Sequence, residues 1–83
     1  MVKVPKFDPE AIGPAYVYAA MADHIAARID AGELPAGARL PAERDLAAEY
    51  QVAVGTARRA VEELRQRGIV VTLPAKGTFV TQG

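Results

Sequence analysis

Three stretches of the chain place apolar residues at helical spacing, and two later ones place them as strands do. Between Ala15 and Ala31, Tyr18, Met21, Ala22, Ile25 and Ile29 recur every three or four positions, with Asp23, Ala27, Arg28 and Asp30 set away from them. Pro14 stands where such a helix can begin, and Gly32 where it stops. A second, shorter helix is predicted from Ala42 to Glu49, with Leu46, Ala47 and Tyr50 on one side and Arg44, Asp45 and Ala48 on the other. A third is predicted from Ala53 to Arg67, ended by Gly68. Its inward stripe is Ala57, Ala60, Val61 and Leu64. Gly55, Arg58, Arg59 and Glu62 point outward and Val54 lies at the edge. The second and third helices start at Ala42 and Ala53, which offer no side-chain cap; Asp45 compensates in part through the helix dipole.

Beyond Gly68 the period changes. Ile69 to Leu73 is rich in β-branched residues, Pro74-Ala75-Lys76-Gly77 reads as a turn, and Thr78 to Thr81 as a returning strand. The connection from Glu33 to Pro41 contains two prolines and a glycine and cannot be helix, although Arg39-Leu40 suits a very short extended piece. Leu34 and Leu40 are expected to face the core. Residues 1–13 show no periodicity and read as an extended or mobile arm, with Val2, Val4 and Phe7 lacking an assigned core. Residues 14–83 then form one α+β domain: three helices followed by a β-hairpin, the outline of a winged helix-turn-helix. A third helix that exposes small residues and arginines can enter a DNA major groove.

Composition narrows the function classes. Eighty-three residues make one small domain with little room for a catalytic cleft, and no enzymatic role is expected. The absence of cysteine excludes disulfides and thiolate metal sites, and no cofactor or metal is expected. His24 is the only histidine and fits a surface or partly packed position better than a ligand or base. No apolar run approaches a membrane span and no signal peptide is apparent, so a cytoplasmic protein is expected. The formal net charge of zero argues against strong nucleic-acid binding, but the charge is not evenly spread. Residues 1–38 carry three basic and five acidic side chains, whereas residues 39–83 carry seven basic and five acidic ones.

From Tyr18 to Thr81 the chain resembles the GntR-type bacterial transcription regulators, specifically their amino-terminal DNA-binding domain. The resemblance rests on Gly32 to Ala47, reading Gly-Glu-Leu-Pro-Ala-Gly-Ala-Arg-Leu-Pro-Ala-Glu-Arg-Asp-Leu-Ala. It rests also on Thr56, Arg58, Ala60, Leu64 and Gly68, and on Lys76-Gly-Thr-Phe-Val80. It implies DNA contact by Arg44, Thr56, Arg58, Lys76 and Gly77. Val54, Gly55, Arg59 and Thr78 stand beside these and complete the expected interface. The chain departs from the family where Ser-Arg-x-Thr is usual and Ala53-Val54-Gly55-Thr56 is found, and where Ala75 replaces a wing glycine. Val54 can offer only an apolar contact, such as one to a thymine methyl.

The expected partner is double-stranded DNA, bound by a homodimer on a two-fold symmetric operator by a chain that is monomeric in solution. Repression is the expected outcome. Family members normally continue into an effector-binding domain; no effector ligand is expected within this chain. The competing class is a winged-helix protein-interaction module. Blander roles compete at single residues too: Arg58 and Arg59 have the spacing to pair with Glu62 and Glu63, Arg44 can pair with a nearby carboxylate, Tyr16 and Tyr18 can be core residues, and Gly77 can be simply the positive-φ residue of the turn.

Overall fold

The computed structural model describes residues 4–81. Its elements are α1 (Val17–Asp30), α2 (Glu43–Tyr50), α3 (Val54–Gln66), β1 (Val70–Leu73) and β2 (Gly77–Val80). This is the predicted order. α1 begins later than its apolar pattern because Pro14–Tyr16 form a separate 3-10 turn, closed by Tyr16 at φ −114° and ψ 1°. Ala42 and Ala53 are the N-caps of α2 and α3 and make no side-chain capping bond. Between the two helices Gln51 adopts the left-handed conformation at φ 57°, and the Val52 N–H returns to the Ala47 carbonyl at 3.0 Å.

β1 and β2 pair antiparallel with Val70 opposite Val80 and Leu73 opposite Gly77. The turn is therefore Pro74 to Lys76, one residue shorter than predicted, and Ala75 carries its left-handed conformation at φ 64°. On the far side of β2, Arg39 pairs with Phe79, fixed by Leu40 N–H to the Thr78 carbonyl and Val80 N–H to the Ala38 carbonyl, both at 2.8 Å. The short extended piece before α2 thus ties the wing to the helix-turn-helix.

One core lies among all five elements. Met21, Ile25, Leu46 and Leu64 are its fully enclosed large side chains, and Leu40, Val70 and Val80 join them from the sheet side. Truncating a side chain such as Leu64 to alanine costs about 2–5 kcal/mol. Leu34 is partly buried against this core.

The amino-terminal segment is more engaged than its sequence suggests. Pro9–Ala11 form a 3-10 turn capped by the Asp8 side chain, and Phe7 packs edge-on to His24 and Tyr50 at centroid distances of 5.5 and 5.0 Å. Val2 lies outside the described residues. The His24 Nε2 is 2.6 Å from the Pro5 carbonyl, which can only accept, so Nε2 carries a proton, and in the neutral ring Nδ1 then accepts from the Tyr50 hydroxyl at 2.8 Å. Tyr50 in turn accepts from Arg28, which also binds Glu49. Arg28, set on the polar side of α1 by periodicity, is thereby half-buried against α2. Among the described residues no helix is long and apolar enough to cross a membrane.

Candidate nucleic-acid interface

α3 supplies the exposed face around which the expected contacts gather. Val54 opens the helix and is 40% exposed. Gly55 follows with open space where a side chain would stand. The helix therefore begins with a smooth surface that lets a partner approach its backbone but offers no side-chain hydrogen bond. Thr56 is half-buried and turns instead into a recess beside Pro14 and Val17.

Arg58 and Arg59 diverge from this surface. Arg58 Nε binds Glu43 Oε1 at 3.2 Å, across to the first residue of α2. Arg59 turns the other way, with its guanidinium carbon 4.0 Å from the Tyr18 ring centroid on α1. Neither of the pairs allowed by spacing forms: Glu63 is taken by Arg67 at 2.9 Å, and Glu62 lies 4.0 Å from Arg65. The physical reason is orientation. A glutamate placed before its basic partner along a helix pairs better than the reverse. Tyr18, grouped with the apolar stripe of α1, is half-buried and supports Arg59 rather than entering the core.

Arg44 is exposed in the first turn of α2 and has no ion pair among the described residues. Lys76 is exposed at the wing tip, likewise without a carboxylate. Gly77 has φ 124°, and a side chain there would meet Arg39 Nε at 2.7 Å. Arg39 thus lies flat against the wing backbone at a position only glycine leaves clear. Thr78 is half-buried, and its hydroxyl joins that of Thr72 at 2.9 Å, which accepts from Arg65. A recess of about 240 Å³ between the start of β2 and the start of α2 is lined by Arg39, Glu43, Gly77 and Thr78 among others.

These contacts place the returning wing strand, the start of α2 and the Arg58 side of α3 together. The chain from Arg39 to Arg44 makes the link: its first residue pairs with the wing, and Glu43 holds Arg58. Arg39 is the member of this group that sequence reasoning missed. Its only signal was its place in an extended piece beside a proline, which gives no indication of pairing with the wing.

Over residues 17–80 the chain matches the family described as bacterial regulatory proteins, gntR family. It is 34% identical over 68 residues to the HTH-type transcriptional regulator SmoD of Agrobacterium fabrum, covering 82% of this chain and 29% of that protein. Its fold is similar to that of YtrA from Sulfolobus acidocaldarius, a GntR-family transcription factor, with a TM-score of 0.82 at 26% identity over 95% of this chain and 83% of the other. It is also similar to the AraR DNA-binding domain solved in complex with operator ORR3, with a TM-score of 0.71 at 28% identity over 77% of each chain. The chain spans less than a third of the length of SmoD.

Proposed function

Because the chain belongs to the gntR family of bacterial regulatory proteins, we propose that it binds duplex DNA and acts as a transcription regulator, a repressor that occupies its operator. In this reading α3 enters the major groove with its Val54–Gly55 surface foremost, and the wing lies beside the minor groove. The observation that carries it is that Arg39, lying against the returning wing strand, and Arg58, held by Glu43, flank the start of α2 where Arg44 is exposed, next to a helix whose first turn is cleared of bulk. Glu43 holds Arg58 through Nε alone, which leaves both Nη groups available to a phosphate or a guanine edge. Arg44, Arg39 and Lys76 position the domain on the backbone. The AraR domain with its operator supports the reading by likeness of fold.

Two chains are proposed to occupy one two-fold symmetric site, each reading a half-site, with pairing on the DNA rather than in free solution. The test is fluorescence anisotropy of a labelled duplex, first a random pool and then the sequence selected from it, over a salt series. Affinity is expected to fall linearly on a log–log scale as salt rises, with two chains per selected duplex. No binding at about 50 mM salt sinks the DNA reading and favours a protein-interaction module, since phosphate neutralisation is strongest there.

A further inference from the structure

We propose that Tyr18 is a positioning residue for DNA binding: its ring holds the Arg59 guanidinium on the α1 side of α3, ready for a backbone phosphate on that flank of the major groove. The inference rests on the DNA reading and deepens it. Arg39, Arg44 and Arg58 all serve the side of α3 that faces α2 and the wing. A helix seated in the major groove has a phosphate strand on each side, and the α1 side is served by none of those three.

Arg59 is placed to serve it. It stands four residues after Gly55, on the exposed line opposite the buried stripe of Ala57, Ala60, Val61 and Leu64. Gly55 presents no side chain that would block approach along this line. Arg28, Arg58, Arg65 and Arg67 each have a carboxylate within 4.0 Å, whereas Arg59 has none among the described residues. The nearby Glu63 is occupied by Arg67, itself held to Asp23 of α1 at 2.7 Å.

The mode of support matters for the chemistry. The Tyr18 ring holds the Arg59 cation at 4.0 Å while the guanidinium makes no side-chain hydrogen bond among the described residues, so the contact fixes the cation and leaves N–H donors for another acceptor. A carboxylate partner would use them. A phosphodiester is the acceptor that fits a guanidinium so held with free N–H donors. Tyr18 is itself anchored, since Met21, Ala22 and Ile25 on the following turns of α1 are enclosed in the core.

The experiment measures duplex affinity over a salt series for the full chain and for Tyr18→Phe, Tyr18→Leu, Arg59→Gln and the Tyr18→Leu/Arg59→Gln double variant, with a thermal melt of each. The wild-type titration tests the DNA reading separately, because absent binding there defeats that reading before any variant is compared. Given wild-type binding, Arg59→Gln is expected to weaken it roughly tenfold and to make the salt slope shallower by about 0.9. Tyr18→Leu is expected to weaken binding by about two- to fivefold, and Tyr18→Phe, which keeps the ring face, to stay within about twofold of wild type. The double variant should bind no more weakly than Arg59→Gln alone, as expected when one residue acts through the other. The inference is overturned if Tyr18→Phe loses as much as Tyr18→Leu, if the two single losses simply add, or if Arg59→Gln leaves the salt slope unchanged. Since Arg59→Gln and Tyr18→Phe leave the core intact, the slope and the ring-retaining variant decide the matter even if Tyr18→Leu lowers the melting temperature.

Discussion

Arg58 has two carboxylates within reach of its stem, Glu62 on its own helix and Glu43 on the neighbouring one, and it takes the second. That choice makes it part of the junction between α2 and α3 while both partners remain substantially exposed, so the pair contributes little stability and mainly sets direction. Arg44 has no such partner among the described residues and only the bulk of its own charge to offer. The two arginines should therefore fail differently. Arg44→Ala is expected to weaken selected and scrambled duplexes about equally and to make the salt slope shallower by about 0.9. Arg58→Ala is expected to narrow the gap between those duplexes by roughly 1–3 kcal/mol, the usual worth of one arginine reading a base edge. Equal losses from both variants on both duplexes would make Arg58 a phosphate clamp. The exposed placement of Arg44, Val54 and Gly55 was legible, because it depends on each residue's own helix. Placement was not legible where it depends on a side chain from another element: Arg39 against Gly77, Arg59 over Tyr18, and Arg58 on Glu43 each join residues at least fifteen positions apart.

Among the elements, apolar periodicity fixed each helix to within about two residues, because the same stripe that reveals a helix is the one its neighbours bury. Turn conformations were less legible, since two of them are held by residues that do not favour them. Gln51, between α2 and α3, and Ala75, at the wing tip, both sit at positive φ. An L residue there costs roughly 1–2 kcal/mol, which glycine avoids while losing about 0.5–1 kcal/mol of that gain to its freer unfolded chain. Gln51→Gly and Ala75→Gly are accordingly expected to stabilise the domain by about 0.5–1 kcal/mol each, a rise of several degrees in Tm for a chain of this size. Differential scanning calorimetry provides the check, and a Tm that falls in both variants would show that neither turn keeps its left-handed residue in solution. Ala75→Gly also restores the glycine that the resemblance leads one to expect in the wing.

At the scale of the whole molecule, the amino-terminal segment, α1 and α2 meet in a single, partly buried polar chain beside Phe7. Arg28 donates to the Tyr50 hydroxyl, Tyr50 to His24, and His24 to the Pro5 carbonyl. None of this was visible to periodicity, because Phe7 lies in a stretch without a repeat and its partners stand 17 and 43 positions away in the sequence. The arrangement makes stability depend on pH through Tyr50. Burial pushes its hydroxyl above the ordinary tyrosine value of 10.0, more strongly than the hydrogen bond from Arg28 lowers it. The folded chain therefore keeps the tyrosine proton at pH values where the unfolded chain has released it. That preference leaves the stability from Tyr50 intact below about pH 10 and removes it progressively as pH rises through the raised folded value. Tyr50→Phe lacks the ionisation and also the hydroxyl, so it should melt lower at neutral pH by about 1 kcal/mol of stability. Thermal melts of the two proteins from about pH 7 to 11 should converge, with wild type losing Tm more steeply above about pH 10. Parallel curves over that range would mean that the Tyr50 hydroxyl reaches solvent in the folded chain and that the relay does not persist in solution.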